Sequence, residues 1–526
     1  MRYKIITGIL GNALLVVAPF HVSAQNENTQ KPNVLFIAID DLKPEMGAYG
    51  NNLIQTPNMD RLAKMGTTFT ENHCQLAVSA PSRISILTGK RPDYTRVWDL
   101  NTQMRDMRPD IVTLPQHFKE NGYYSTGTGK IFDFRSVSQG QDEQSWSEPY
   151  LRTANKYYQN EQRPMLYWYQ NTENREIAQK YLEKAFAENL SGNDAIRNAL
   201  QSFKPSVEAA DVADNAYNDG AMTLMALETL ERLAKNEDPF FFAVGYQLPH
   251  LPFVAPQKYW DLYNREDMPL APFQQKAENS PDIAYHNSGE LRSYSDIPPL
   301  VSFSDQPYGI GLPEYKQKEL IHGYYASTSY VDAQIGKLLD YLEESGLIEN
   351  TIIVLWGDHG WHLGDHDLWC KHSNFEQATR SPLIVSAPGY QAGTTKSVSE
   401  FVDVFPTLCE LAGIPAPDNL DGKSLVPVLK NPENQIKEFA VSQYPRGRNV
   451  MGYSIRNNRY RLTYWIGDGF RTTQAFDESM LVAKELYDYK RDPLETKNVV
   501  DRFRYRRVYR NMAKQITGFF DSQLEQ

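Results

Sequence analysis

Cysteine is scarce, with only Cys74, Cys370 and Cys409 among 526 residues. Three cannot all pair within one chain, which excludes a disulfide scaffold and leaves room for one bridge at most. Positive charge is also in deficit. Lys and Arg number 54 against 65 Asp and Glu, a net charge of −11, which argues against nonspecific binding to a polyanion. An anionic partner would have to be drawn into a local basic pocket. Long apolar runs are missing after Phe20, so nothing further along reads as a membrane span. Neither an internal repeat nor a low-complexity tract is present, so a repeat architecture is not indicated.

The N-terminus carries the first positive signal. Arg2 and Lys4 precede an uncharged, mostly apolar run from Ile5 to Phe20, and Val22-Ser23-Ala24 offers a small-residue cleavage pattern. Residues 1–24 therefore read as a secretory signal peptide cut before Gln25, with a retained N-terminal anchor as the alternative. No cysteine follows the cut to take a lipid. Export across the inner membrane to the periplasm is the expectation, and loss of Arg2 and Lys4 moves the net charge from −11 to −13. About 500 residues remain, enough for one large domain and a smaller one.

Short β-forming runs alternate with helical stretches. Asn33 to Ile39 reads as a buried strand ending at Asp40-Asp41. Thr56-Pro57 opens a helix that Gly66 stops. Tyr123 to Thr126, Phe240 to Gly245, Thr351 to Trp356 and Leu383 to Ser386 are further strands, and Lys318 to Glu344 is a long helix ended by Gly346. The alternation predicts an α/β fold with a mixed, mostly parallel sheet between helices, and functional loops at the carboxyl ends of the strands. Residues 140–215, polar and aromatic-rich, read as a helical insertion in a domain spanning 25–435. From 436 to 526 short alternating strands (Phe439 to Gln443, Met451 to Ile455, Tyr460 to Trp465) and a helix near Val508 to Phe520 predict a small antiparallel subdomain.

The segment Ser79-Ala80-Pro81-Ser82-Arg83, continuing to Thr88-Gly89, has Pro at a first helical position and Gly past the end. It reads as a short helix beginning beside Ser79, whose free N–H groups suit an anion such as sulfate. Arg83, one turn in, could point back to the same place. Taken alone, a serine there is a helix cap. Asp40-Asp41 and Asp358-His359 close two strands, so both pairs would meet at one sheet edge. Their hard donors favour Ca²⁺ or Mg²⁺, whereas the plain alternative is that each caps a turn.

The eleven residues Ser79 to Gly89 resemble the sulfatase signature, in which a Cys or Ser is oxidised to formylglycine. The resemblance implies an alkaline-phosphatase-like fold. It also implies a maturing enzyme of the anaerobic type that accepts Ser79. The hydrated aldehyde explains the modification: one hydroxyl attacks sulfur, and the other then loses its proton, reforming the aldehyde and expelling sulfate. In sulfatases the positions matching Asp40, Asp41, Asp358 and His359 bind Ca²⁺ with the formylglycine, often with Asn where His359 stands. Lys130 matches the family's Gly-Lys motif, His250 in Gln247-Leu-Pro-His could protonate the departing sugar oxygen, and Lys371 matches a sulfate-contacting lysine. One departure is Lys130-Ile-Phe-Asp133, where the family commonly places a His; Asp133 either takes the base role or does nothing.

Further segments resemble iduronate-2-sulfatases: Ala77 to Arg83, Arg91-Pro-Asp, Trp98-Asp-Leu-Asn, Asp358-His-Gly-Trp-His-Leu-Gly and Trp369-Cys-Lys-His-Ser-Asn-Phe. The likeness spans most of 33–500 and is weakest at 140–215 and 260–315. It implies removal of the 2-O-sulfate from uronic acid at the nonreducing end of glycosaminoglycan oligosaccharides, of heparin or chondroitin type. Cations for the uronate carboxylate are sought in Arg96, Arg292, Arg446 and Arg448, and in His286 to Arg292 as a pocket-lining loop; His372 lies nearest the chemistry. A sulfatase for another sugar position, a phosphoester or phosphonate hydrolase on the same fold, and an inactive binder of sulfated glycans are the competing readings.

Overall fold

The computed structural model describes Met1 and residues 31–161, 169–298 and 311–524. Apart from Met1 the expected signal peptide falls outside the described residues, as do 162–168 of the expected insertion. The centre is a seven-stranded sheet. In chain order its strands are β1 (Asn33–Ile39), β2 (Thr67–Phe69), β3 (Tyr124–Gly129), β4 (Phe240–Tyr246), β5 (Thr351–Gly357), β6 (Leu383–Ser386) and β7 (Gly393–Thr395). They lie side by side as β7-β2-β6-β5-β1-β4-β3, and only β6 runs against the rest. The sheet is mixed and mostly parallel, in agreement with the sequence.

Why the central strands are unbroken apolar runs follows from burial on both faces. Val34 to Ile39 are all fully buried. Val34, Phe36 and Ala38 pack on one side with Ile84 and Leu87 of the helix Ser79–Thr88. Leu35, Ile37 and Ile39 pack on the other with Met222 and Ala226 of Asn218–Leu233 and Leu338 of Glu314–Glu344. That last helix begins at Glu314, just after Pro313, rather than at Lys318. No helix among the described residues is long and apolar enough to cross a membrane.

Register then places the functional residues. Ile39 lies opposite both Tyr246 and Gly357, and Gly129 opposite Gly245. The residues that follow these strands, Asp40, Gln247, Asp358 and Lys130, therefore leave the sheet at one edge. The C-terminal part forms a four-stranded antiparallel sheet of Ala440–Arg446, Val450–Arg456, Tyr460–Ile466 and Leu481–Asp488. Met512, Ile516 and Phe520 of the helix Arg506–Leu524 cover it. Within 140–215 the helices Thr172–Ala187 and Gly192–Ser202 share a small core of Leu182, Ala185, Ala195 and Ala199.

Candidate active site

The pairs Asp40-Asp41 and Asp358-His359 converge at the sheet edge, and Arg83 ties Asp40 to Asp358. Asp41 donates its N–H to Asp358 Oδ1 at 2.9 Å. Arg83, fully buried, donates Nε to Asp358 Oδ2 at 3.0 Å and Nη2 to Asp40 Oδ1 at 2.9 Å. Its Nη1 serves the carbonyls of Lys130 and Ile131. The guanidinium is thus spent on holding carboxylates and backbone in place, a fork-shaped task that Lys could not perform. Ser79 sits in the first helical turn, with Val78 as the cap residue, and donates its Oγ to Asp40 Oδ1 at 3.2 Å. It is 2% exposed.

Lys130 reaches Asp40 Oδ2 at 2.6 Å. Its backbone can turn there because Gly129 has a φ of +74°, and a Cβ on Gly129 would stand 2.0 Å from the Gly245 carbonyl. Lys371 lies opposite, its Nζ 3.1 and 3.2 Å from the two Asp41 oxygens and 4.8 Å above the Trp361 ring. Asp41, Cys370 and His372 all adopt left-handed backbone, at φ 59°, 73° and 68°. Such strain costs of order 1–3 kcal/mol per residue and collects at functional sites.

Glu290 completes the cluster from the short helix Gly289–Arg292. It accepts from Lys371 Nζ at 2.8 Å and from His372 Nε2 at 3.1 Å, and stands 3.2 Å from His250 Nε2. Tyr444 donates to His372 Nδ1 at 2.7 Å. His250 gives Nδ1–H to the Leu251 carbonyl at 2.6 Å, so Nε2 is the atom that faces the cluster. Burial, and then the Lys371 ammonium, push the His250 pKa down to about 4, against the pull of Asp40 and Glu290. Burial alone would raise Asp40, but Lys130 and Arg83 outweigh it and hold the carboxyl well below its usual range. Asp41 is pushed up to about 7, chiefly by burial, with Lys371 opposing.

Two features fit a divalent cation. His359 gives Nδ1–H to the Gly360 carbonyl at 2.9 Å, and its buried Nε2, with no hydrogen-bond partner, stands 3.3 Å from Asp41 Oδ1 and 3.5 Å from Asp358 Oδ2. A lone pair aimed at two carboxylates is a donor set that a divalent cation can take. Charge gives the second. Asp40, Asp41, Asp358 and Glu290 face Arg83, Lys130 and Lys371, one negative charge in excess. A divalent ion would reverse that sign and let an anionic ester approach. The donor atoms of Asp41, Asp358 and His359 lie within 4.8 Å of one another, as do those of Asp40, Asp41 and His250.

The family description "Sulfatase" matches residues 32–414, and "N-sulphoglucosamine sulphohydrolase, C-terminal" matches 364–521. The chain belongs to the sulfatase family. It is 34% identical to iduronate 2-sulfatase of Mus musculus and 33% to that of Homo sapiens, in each case over 90% of this chain and 92% of the relative. A sulfatase of Formosa agariphila is 31% identical over 95% of this chain and 89% of its own. Among solved structures, the phosphonate monoester hydrolase of Silicibacter pomeroyi aligns with a TM-score of 0.69 at 20% identity, covering 94% and 96% of the two chains. A 2-O GAG sulfatase aligns at 0.61 with 20% identity, covering 94% and 93%. These structural likenesses carry the alkaline-phosphatase-like fold alone. The protein is a sulfuric ester hydrolase, and its family uses a formylglycine and a divalent metal.

The remaining expected residues of this sulfatase are more scattered. Asp133 is buried and takes Nε and Nη2 of Arg135, each at 2.8 Å, with Lys130 Nζ at 3.7 Å. Burial would raise its pKa, but Arg135 and Lys130 hold it below the usual range. Arg446 donates to the carbonyls of Ile283, Ala284, Pro445 and His372, so it clasps the loop that carries Lys371. Arg96 donates to the Arg471 carbonyl and Arg471 to that of Arg448, around Trp98. Arg292 has a buried Nε without a partner. Sequence reasoning passed over Glu290, although it flagged the loop from His286 to Arg292 that contains it, and gave no place to Trp361 or Tyr444.

Proposed function

We propose that this sulfatase removes the 2-O-sulfate from a saturated or unsaturated uronic acid at the nonreducing end of heparin-type, or chondroitin-type, oligosaccharides. The observation that carries the reading is likeness to iduronate 2-sulfatases at 33–34% identity over 90% of the chain, in a site that gathers Ser79, Lys130, His250 and Lys371 around Asp40 and Asp41. The signal-like first 24 residues support export to the periplasm. Ser79 in the signature supports maturation by an anaerobic-type enzyme.

When formed from Ser79, the formylglycine would supply the hydrated aldehyde that attacks sulfur. Asp40, Asp41, Asp358 and His359 would hold a Ca²⁺ or Mg²⁺ ion, which supplies positive charge beside the nucleophile. The rest falls to the side chains. Lys130, beside Asp40, and Lys371, beside Asp41, bind and orient the sulfate, and Arg83 keeps Asp40 and Asp358 fixed. As the sulfur–oxygen bond breaks, the sugar oxygen takes a proton, and His250 presents Nε2 for that transfer once the ring is doubly protonated, since its neutral form carries the proton on Nδ1.

The test is sulfate release from unsaturated disaccharides, each bearing a single 2-O-, 6-O- or N-sulfate. The protein is co-expressed with a maturing enzyme, and Ser79→Ala serves as blank. Release confined to the 2-O-sulfated compound is expected. Activity only on another position, or none despite formylglycine confirmed by mass spectrometry, overturns the uronate assignment.

A further inference from the structure

Beside Lys130 the protein opens into a second concavity. A cleft of about 680 Å³ lies where β3 and β4 end against the segment 139–153, a size that suits a sugar unit. Lys130 forms part of its wall, as does Gln247, which precedes His250 by one turn of chain. Its charge is unlike that of the whole molecule. Among the described residues no carboxylate lines it, and its charged groups are Lys130, paired with Asp40, and Arg152, in a protein of net charge −11. Arg152 donates Nη2 to the Gln139 carbonyl at 2.8 Å and has no carboxylate partner among the described residues.

The remaining lining has the chemistry of a carbohydrate surface. Side-chain amides of Gln139 and Gln247 offer donors and acceptors together, which is what vicinal hydroxyls require. Phe134, a residue 66% exposed, lines the same cleft and offers an apolar ring on which a pyranose C–H face can pack. The wall is fixed in advance. Gln141 and Asp142 hold left-handed backbone at φ 57° and 64°. Asp142 is gripped by Arg105, with Nη2 at 2.9 Å from Oδ2, and Trp146 Nε1 donates to the Gln141 carbonyl at 2.7 Å. A wall already ordered loses little freedom on binding.

We infer that this cleft is the subsite for the sugar next in the chain after the sulfated one. It takes a hydroxyl-rich pyranose bearing a sulfate or carboxylate, with the anion on Arg152, the ring on Phe134 and the hydroxyls on the glutamines. The inference rests on the uronate reading above and gives the protein a preference for oligosaccharides longer than a disaccharide.

The experiment compares kcat/KM on a 2-O-sulfated disaccharide and on a tetrasaccharide with the same nonreducing end. Wild type is expected to favour the tetrasaccharide. Arg152→Gln and Phe134→Ala, both at exposed side chains, should each lower the tetrasaccharide-to-disaccharide ratio about tenfold, through KM, the loss of one good contact. An unchanged ratio overturns the subsite. Failure of the uronate reading shows itself separately, as no turnover of either compound. The cleft is then tested by calorimetric titration of Ser79→Ala protein with a heparin tetrasaccharide. Binding weakened about tenfold by Arg152→Gln supports the subsite, and equal binding overturns it.

Discussion

Glu290 Oε1 lies 2.8 Å from Lys371 Nζ, which puts a carboxylate inside a pocket built for an anion. Its second oxygen accepts from His372, so the acid holds the loop and the lysine in one geometry. Charge-assisted hydrogen bonds of this kind are worth about 1.5–3 kcal/mol. Glu290→Gln keeps the size and removes the charge. It should lower kcat/KM for sulfate release about tenfold or more, with little change in the thermal midpoint. If Glu290 merely competed with the substrate anion, the same change would lower KM and raise kcat/KM. The sign of the effect decides the matter.

Arg83 has a different task, since its guanidinium ties Asp40 to Asp358. Lys at this position cannot reach Asp40 and Asp358 at once, so one of these two buried ion pairs would be lost. Breaking a buried pair costs about 3–5 kcal/mol. Arg83→Lys should therefore lose about 3 kcal/mol in urea unfolding, together with activity. Unchanged stability would show that the guanidinium does not anchor the two strands' acids.

Metal dependence follows from the unpartnered His359 Nε2 and the excess of carboxylates. Chelator-stripped protein titrated with Ca²⁺ or Mg²⁺ should gain stability, about 2.7 kcal/mol at a hundredfold excess over Kd. His359→Ala should blunt that gain in calorimetry even with Ser79 unmodified. A gain of the same size in both proteins would place the ion elsewhere.

How much of this could be read in the sequence depended on how local each signal was. β1, β4 and β5 are legible because burial on both faces leaves unbroken apolar runs. The helix of Ser79 is legible from Pro81 and Gly89, although Pro81 is its third residue and not its first. β2 and β7 are three-residue strands containing Thr and Gly, too short to make a pattern; their pairing is fixed by the tertiary fold. Leu481–Asp488, with Lys484 and Glu485 inside it, also escapes detection, because its polar residues find partners only in the folded sheet. Glu290 could not be found for a similar reason. An acid in a polar loop reads as solvated, and the lysine that gives it meaning lies 81 residues away. The four candidate arginines show the converse: loop position alone does not tell whether a guanidinium meets carbonyls, as Arg446 does, or solvent.

Acid should weaken the fold through His73, whose partner is Glu376. It is fully buried, with Nε2 3.5 Å from Glu376 Oε2. Burial pushes its pKa down from 6.5 to about 4; Glu376 and Glu400 pull it upward, and Arg456 and Arg380 push it further down. A base whose folded pKa is depressed contributes stability that is complete above its unfolded value of 6.5 and disappears as pH falls from there towards about 4. Between about pH 7.5 and about pH 5 the unfolded chain takes up the proton while the folded one resists. The linkage amounts to about 2 kcal/mol. Urea unfolding of wild type should lose that much more over this range than unfolding of His73→Gln, which titrates in neither state. Glu376, whose pKa Arg456 and His73 bring to about 2 against the effect of burial, adds its own loss only below about pH 4.5. It leaves the higher window to the histidine. Parallel acid profiles for the two proteins would mean that His73 is protonated within the fold, and that the Glu376 carboxylate outweighs its burial.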